Sequence, residues 1–196
     1  MICNSKKKGF TFIEIVIIVV IIGIMTSVVL VSVGGNKSSK VVEIAAREIA
    51  GSIREAQNNA LNGKQINDGT GDTACGHGFY FDNDGDGSGL DSEYDYKLFY
   101  NYDNSGTPND DCSEALPGVG VAQYYADHSL GNKVEFSDSI SKSIYFTMPH
   151  GTVYQNSALL GGSAKILLVS PGGSDYYTIC VYASGRVEEK KDDVPC

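Results

Sequence analysis

From Phe10 to Val33 the chain is apolar apart from Thr11, Glu14, Thr26, Ser27 and Ser32. A helix of that length, rising about 1.5 Å per residue, spans the roughly 30 Å hydrocarbon core of a bilayer. Lys6, Lys7 and Lys8 stand just ahead of it. One carboxylate, Glu14, sits near its start. A charge in a spanning helix costs about 2–3 kcal/mol near the centre and less toward the end. A secretory signal peptide would have a shorter apolar core with a small-x-small cleavage site behind it. A plain signal anchor would have no use for Glu14.

The pattern becomes coherent if the chain is cut between Gly9 and Phe10. The new amine then lies four residues before Glu14, near the membrane face. The amine of a neighbouring copy can neutralise the carboxylate, which makes Glu14 an assembly residue. These residues carry a resemblance. "KKKGFTFIEIVIIVVIIGI" resembles the class III leader and amino-terminal helix of type IV pilins and type II secretion pseudopilins. The resemblance implies that a prepilin peptidase cleaves after Gly9 and methylates Phe10, leaving Glu14 as the fifth residue of the mature chain.

It also implies an α+β, type IV pilin-like fold. A long amino-terminal helix, half transmembrane and half amphipathic, packs on an antiparallel β-sheet domain. The expected divisions are a leader at 1–9, a transmembrane assembly helix at 10–33, an amphipathic stalk helix at 34–62 and a β-rich soluble domain at 63–196. The chain would be a single-pass protein of the bacterial inner membrane, its soluble domain outside the cytoplasm, and part of a fibre once assembled. Its partners would be other pilin or pseudopilin subunits, prepilin peptidase and the inner membrane.

Gly34-Gly35-Asn36 interrupts the apolar run, and glycine costs a helix about 1 kcal/mol per residue, so a bend or melted stretch is expected there. "VVEIAAREIAGSIREAQNNAL" then resumes a helical period, with Val42, Ala45, Ile49, Ile53, Ala56 and Ala60 on one face. Glu43 and Arg47 form an i,i+4 pair with the acid first. "AREIAGSIREAQNNAL" resembles the GspH/FimT subfamily of minor pseudopilins and minor pilins, whose helix ends in an Ala-Arg-x-x-Ala-like element. Arg54 is followed here by Glu55-Ala56, a close but inexact match. That likeness implies a low-abundance subunit near a fibre tip that helps start assembly or engages cargo.

Beyond Gly63 the helical period stops. "GFYFD", "YKLFYNY", "KVEFS", "SIYFTM", "AKILLVS" and "YYTICVYAS" read as strands between Gly-, Asn-, Asp- and Ser-rich turns. No helix-length crossover separates them, so antiparallel pairing is expected. "MPHGTVY" places Pro149 and Gly151 in a tight turn, and residues 103–132 read as an irregular insertion. Cys75, Cys112, Cys180 and Cys196 suit two disulfides in an exported domain, with three connectivities open. Pairing Cys75 with Cys112 and Cys180 with Cys196 closes local loops. No CxxC spacing supports a structural zinc site.

"DNDGDGSGLDSE" fits a calcium-loop pattern over all twelve positions, making Ca2+ the one candidate cofactor. Asp82, Asp84 and Asp86 would offer side-chain oxygens, Ser88 its carbonyl and Glu93 a bidentate carboxylate around the Gly87 turn. Leu90 departs from the pattern, the flanks read as strands, and a plain solvated acidic turn is the competing reading. His77, His128 and His150 are scattered and read as surface or turn histidines. No nucleophile elbow or phosphate loop is present, so the sequence gives no support for an enzyme.

The net charge of −9 repels nucleic acid. Some FimT-like members bind DNA through a basic carboxyl end. Here Arg186, Lys190 and Lys191 face Glu188, Glu189, Asp192 and Asp193, which leaves a DNA receptor weakly supported. A pilus-tip adhesin acting through Tyr-rich loops, and a major fibre subunit, stay open alternatives.

Overall fold

The apolar period at residues 42–60 becomes the buried face of a helix. The computed structural model describes residues 11–34, 37–65, 74–81, 95–102, 122–131, 134–137 and 142–196. It opens with α1 (Phe12–Gly34) and α2 (Lys37–Leu61). Gly35 and Asn36, where a bend was expected, lie outside the described residues. The chain divides into two compact units, Met1–Lys37 and Ser38–Cys196.

In the second unit α2 buries Val42, Ala45, Ala46, Ile49, Ala50, Ile53, Ala56 and Ala60. Arg47 pairs with Glu43 along its exposed side. Gly63, at φ +62°, stops the helix: its N–H bonds the Ala60 carbonyl, and that of Lys64 bonds the Asn59 carbonyl. Those two bonds satisfy carbonyls the last turn would leave bare, and glycine takes the left-handed conformation without a Cβ penalty.

Ten strands follow: β1 (Ala74–Phe81), β2 (Asp95–Tyr102), β3 (Ala122–Ser129), β4 (Glu135–Phe136), β5 (Lys142–Thr147), β6 (Val153–Gln155), β7 (Ala158–Leu159), β8 (Ser163–Val169), β9 (Tyr176–Tyr182) and β10 (Val187–Lys191). They build a six-stranded sheet, ordered β3-β2-β1-β5-β6-β7, and a four-stranded sheet, ordered β10-β9-β8-β4. Every described pairing is antiparallel, as the short connections require. The architecture is α+β: a helix with a large antiparallel sheet domain.

The core belongs to all three layers at once. Phe79, Phe81, Leu98, Ile144 and Phe146 of the larger sheet join Ile166, Leu168, Ile179 and Val181 of the smaller one around the α2 face. Burying Ile49 or Ile53 contributes about 1.5–3 kcal/mol each. Phe81 stacks on Phe136 at 4.1 Å, and Lys142 Nζ donates to the Lys165 carbonyl at 2.6 Å, so the sheets also touch directly. Polar bonds fix the helix in register. Ser52 Oγ and Tyr96 Oη are 3.1 Å apart, and Tyr96 donates to Glu48 Oε1. Arg54 bonds the Val187 carbonyl and Glu189, while Ser38 Oγ donates to Asp175.

Two elements differ from expectation. Residues 103–132 contain β3, paired to β2 over its length, rather than a wholly irregular insertion. Its sequence, AQYYADHS, lacks a hydrophobic alternation because β3 is a half-exposed edge strand. The charged run VEEKK likewise forms β10, the edge partner of β9. In the expected turn, the Met148–Pro149 bond is cis and Gly151 takes φ +65°.

His77, Phe79 and Phe81 point from β1 to the core side, leaving Gly76 and Gly78 on the opposite face. Phe99 and Tyr145 lie flat over those glycines, their rings stacked at 6.0 Å and 11°. A Cβ at Gly78 would sit 2.3 Å from Phe99 Cζ. Gly78→Ala should therefore lower stability by about 1–3 kcal/mol in denaturant unfolding. An unchanged midpoint would mean that the Phe99 ring swings clear without penalty.

Candidate assembly site

Thr11 starts α1 through its backbone: its carbonyl accepts from the N–H groups of Glu14 at 3.1 Å and Ile15 at 3.3 Å. Glu14 thus occupies the first turn. The positive end of the helix dipole favours a carboxylate there by about 0.3–1 kcal/mol. Side chains of α1 are described from Phe12 to Ser27. Phe12, Ile13, Ile15, Val16, Ile17 and Ile18 are all exposed, and exposure continues through Met25. Consecutive positions cannot share one face of a 3.6-residue turn, so α1 is apolar all round.

Its hydroxyls turn inward on the helix itself. Thr26 Oγ1 donates to the Ile22 carbonyl at 2.6 Å, and Ser27 Oγ to the Ile24 carbonyl at 2.7 Å. Those donors are satisfied without water. Glu14 is the contrast: it is exposed and has no ion-pair partner among the described residues. No helix among the described residues is long and apolar enough to cross a membrane.

Gly9 and Phe10, the expected processing residues, lie outside the described residues. So does the whole calcium-loop motif with Asp82, Asp84, Asp86, Ser88 and Glu93, and so does Cys112. No cluster of three or more metal-ligating side chains occurs among the described residues. Cys180 and Cys196 form a disulfide, with Cα atoms 5.5 Å apart, that fastens the carboxyl end to β9. Cys75 is disulfide-bonded as well.

The histidines need correction. His150 sits exposed in the turn after β5, but His77 is wholly buried at the middle of β1 and His128 stacks on Tyr96 within β3. The signal for His77 was present: in HGFYF it shares the inward period of Phe79 and Phe81. Burial holds its pKa below the ordinary value, outweighing the bond to the Lys64 carbonyl.

At the carboxyl end Arg186, Lys165 and Lys190 are engaged. Arg186 pairs with Glu188 at 3.3 Å and covers the Tyr182 ring, Lys165 pairs with Asp193, and Lys190 Nζ donates to the Pro195 carbonyl. Acid and base alternate across this end rather than forming a basic patch.

The family described as Prokaryotic N-terminal methylation motif matches residues 4–30, a span holding Gly9, Phe10 and Glu14. The match supports a type IV pilin-like family and indicates a pilin- or pseudopilin-type precursor, which points to a structural subunit. It implies processing by prepilin peptidase and assembly with other pilin-type subunits. Comparison with curated proteins and with solved structures finds no match.

The disulfide generates a prediction for the domain. It closes a separation of 16 residues, for which restriction of the unfolded chain contributes about 3 kcal/mol. Cys196→Ser should cost about 2–4 kcal/mol in denaturant unfolding under oxidising conditions. A loss below about 0.5 kcal/mol would show that β10 and its tail hold without the link.

Proposed function

We propose that the chain is a minor pseudopilin or minor pilin, a subunit of a type II secretion or type IV pilus fibre that helps start assembly or engages cargo. One observation carries this reading. An all-round apolar helix bears a single carboxylate in its first turn, inside the matched methylation motif. A helix of that kind has no stable place in water and needs lipid or other apolar helices around it.

The precursor is held in the inner membrane by the run from Phe10 to Val33, with residues 63–196 outside the cytoplasm. The described side chains of α1 end at Ser27, so the proposed span is the whole run from Phe10 to Val33, which as a helix would be about 36 Å long. Cleavage after Gly9 creates an amine at Phe10. In the fibre that amine, on one copy, meets Glu14 on the next. The dipole offsets only part of the carboxylate's cost in an apolar setting, so the remainder falls to this partner.

The calcium reading rests on the sequence between Phe81, where β1 ends, and Asp95, where β2 begins, with Asp82, Asp84, Asp86, Ser88 and Glu93 as the proposed ligands. A cation there would relieve the repulsion of the carboxylates and tie the loop down. Its role is structural.

Glu14→Ala should leave cleavage and membrane insertion intact while lowering incorporation into fibres at least tenfold. Subunit content of sheared fibres and of secreted cargo reads the effect, and normal incorporation would sink the proposal. For calcium, titration calorimetry on the full chain in detergent should give a Kd of about 10⁻⁴–10⁻³ M, the range of extracellular sites. Glu93→Gln should weaken it at least tenfold, and absence of binding at millimolar Ca2+ would rule the site out.

A further inference from the structure

We infer that His77 is an acid-sensitive latch holding the end of α2 against the six-stranded sheet. The residues after α2 grip β1 at two points. His77 Nε2 lies 2.9 Å from the Lys64 carbonyl, to which it donates, and the Ala74 N–H donates to Gln65 Oε1 at 2.8 Å. The imidazole is completely buried. Its Nδ1 is buried too and has no hydrogen-bond partner among the described residues.

With Nε2 protonated and Nδ1 bare, the ring is neutral and fits this site. A second proton would put an N–H on Nδ1 that finds no acceptor among the described residues, leaving a charged donor buried and unsatisfied. The groups around the ring give it little relief. From the end of α2 comes Lys64, a cation that opposes a second positive charge. From β2 comes Tyr100, tilted at 6.4 Å, and from β3 comes Tyr125, edge-on at 5.8 Å. Phe146, its neighbour on β5, carries no charge. The Tyr125 hydroxyl is taken up by Asn59 at 3.3 Å, and Glu55 acts on that hydroxyl rather than on the imidazole.

Three effects compete when His77 is charged. A charged Nε2–H would strengthen the bond to Lys64, whereas burial and the Lys64 ammonium oppose the charge, and burial is the largest. The folded imidazole therefore binds its proton less readily than an exposed histidine at about pH 6.5. Above that pH both the latched and the opened forms are neutral, and the latch is at full strength. As pH falls below it, the opened form takes up a proton first, and the latch weakens until the folded ring also titrates. Opening frees the Lys64 carbonyl and lets the ring reach water, while the core face of α2 stays packed.

Hydrogen exchange read by mass spectrometry on the full chain in detergent tests this, with rates corrected for intrinsic pH dependence. Below about pH 6.5, opening at residues 62–65 should rise toward tenfold per pH unit, the limit for one linked proton. His77→Gln keeps a donor for the Lys64 carbonyl and cannot titrate, so its opening should be independent of pH. Equal pH dependence in wild type and His77→Gln would overturn the proposal, as would a wild type that does not respond. Unchanged protection of β8 shows whether the variant is folded. If it is not, the wild-type His77 ring signal decides by NMR: a midpoint at or above 6.5 overturns the latch, and one below it, with a shift of the Lys64 amide, supports it.

Discussion

The apolar face of α2 is the surface that both sheets depend on. The larger sheet places Phe79, Leu98, Ile144 and Phe146 against the same cluster that receives Ile166, Leu168, Ile179 and Val181 from the smaller sheet. Neither sheet closes into a barrel, and each would expose one greasy side without the helix. Alanine at 45, 46, 50, 56 and 60 keeps that face flat beside Ile49 and Ile53, and all seven are buried in the shared core. The polar bonds follow from this placement. Glu48 and Ser52 meet β2 through Tyr96, and Arg54 reaches β10. The exposed Arg54–Glu189 pair stabilises little, about 0–1 kcal/mol, but together with the buried Ser52–Tyr96 bond it sets which turn of the helix faces which strand.

Reading the sequence recovers what periodicity encodes and loses what tertiary contact decides. Val42, Ala45, Ile49, Ile53, Ala56 and Ala60 announce a helix face because their spacing is local information, and all of them are buried. Strands β1, β2, β5, β8 and β9 are legible because each carries a run of aromatic or branched residues. β3 and β10 are not. Their residues are polar because edge strands meet water, and it is the neighbouring strand, not their own composition, that makes them extended. His77 goes against residue type instead: a side chain usual on surfaces sits on an inward position, and the alternation of HGFYF, not the residue type, carries that information.

Of the candidate site, the chemistry of Glu14 could be read from the chain, since one acid among aliphatic residues needs no structure to be noticed. The helix adds that Glu14 lies in the first turn and that the hydroxyls of Thr26 and Ser27 are already satisfied within α1. The carboxylate is thus the one described polar side chain on α1, between Phe12 and Ser27, whose needs point outward. On the proposed reading, the group that meets them is the terminal amine of another subunit.

The two helices divide the labour by how their apolar residues are distributed. α2 confines them to one face, so folding of its own domain covers them. α1 spreads them over every face, and only surroundings that are apolar on all sides can cover them. In such surroundings a carboxylate is tolerable only near an end, where water and headgroups lie within reach and the helix dipole contributes about 0.3–1 kcal/mol. That offset is smaller than the cost of about 2–3 kcal/mol for an acid carried deeper. On the proposed reading, a carboxylate at position 14 is shallow enough to be inserted alone and still short of a partner. On the same reading, that residual deficit is what draws the amine of an incoming subunit to this turn of the helix rather than to any other.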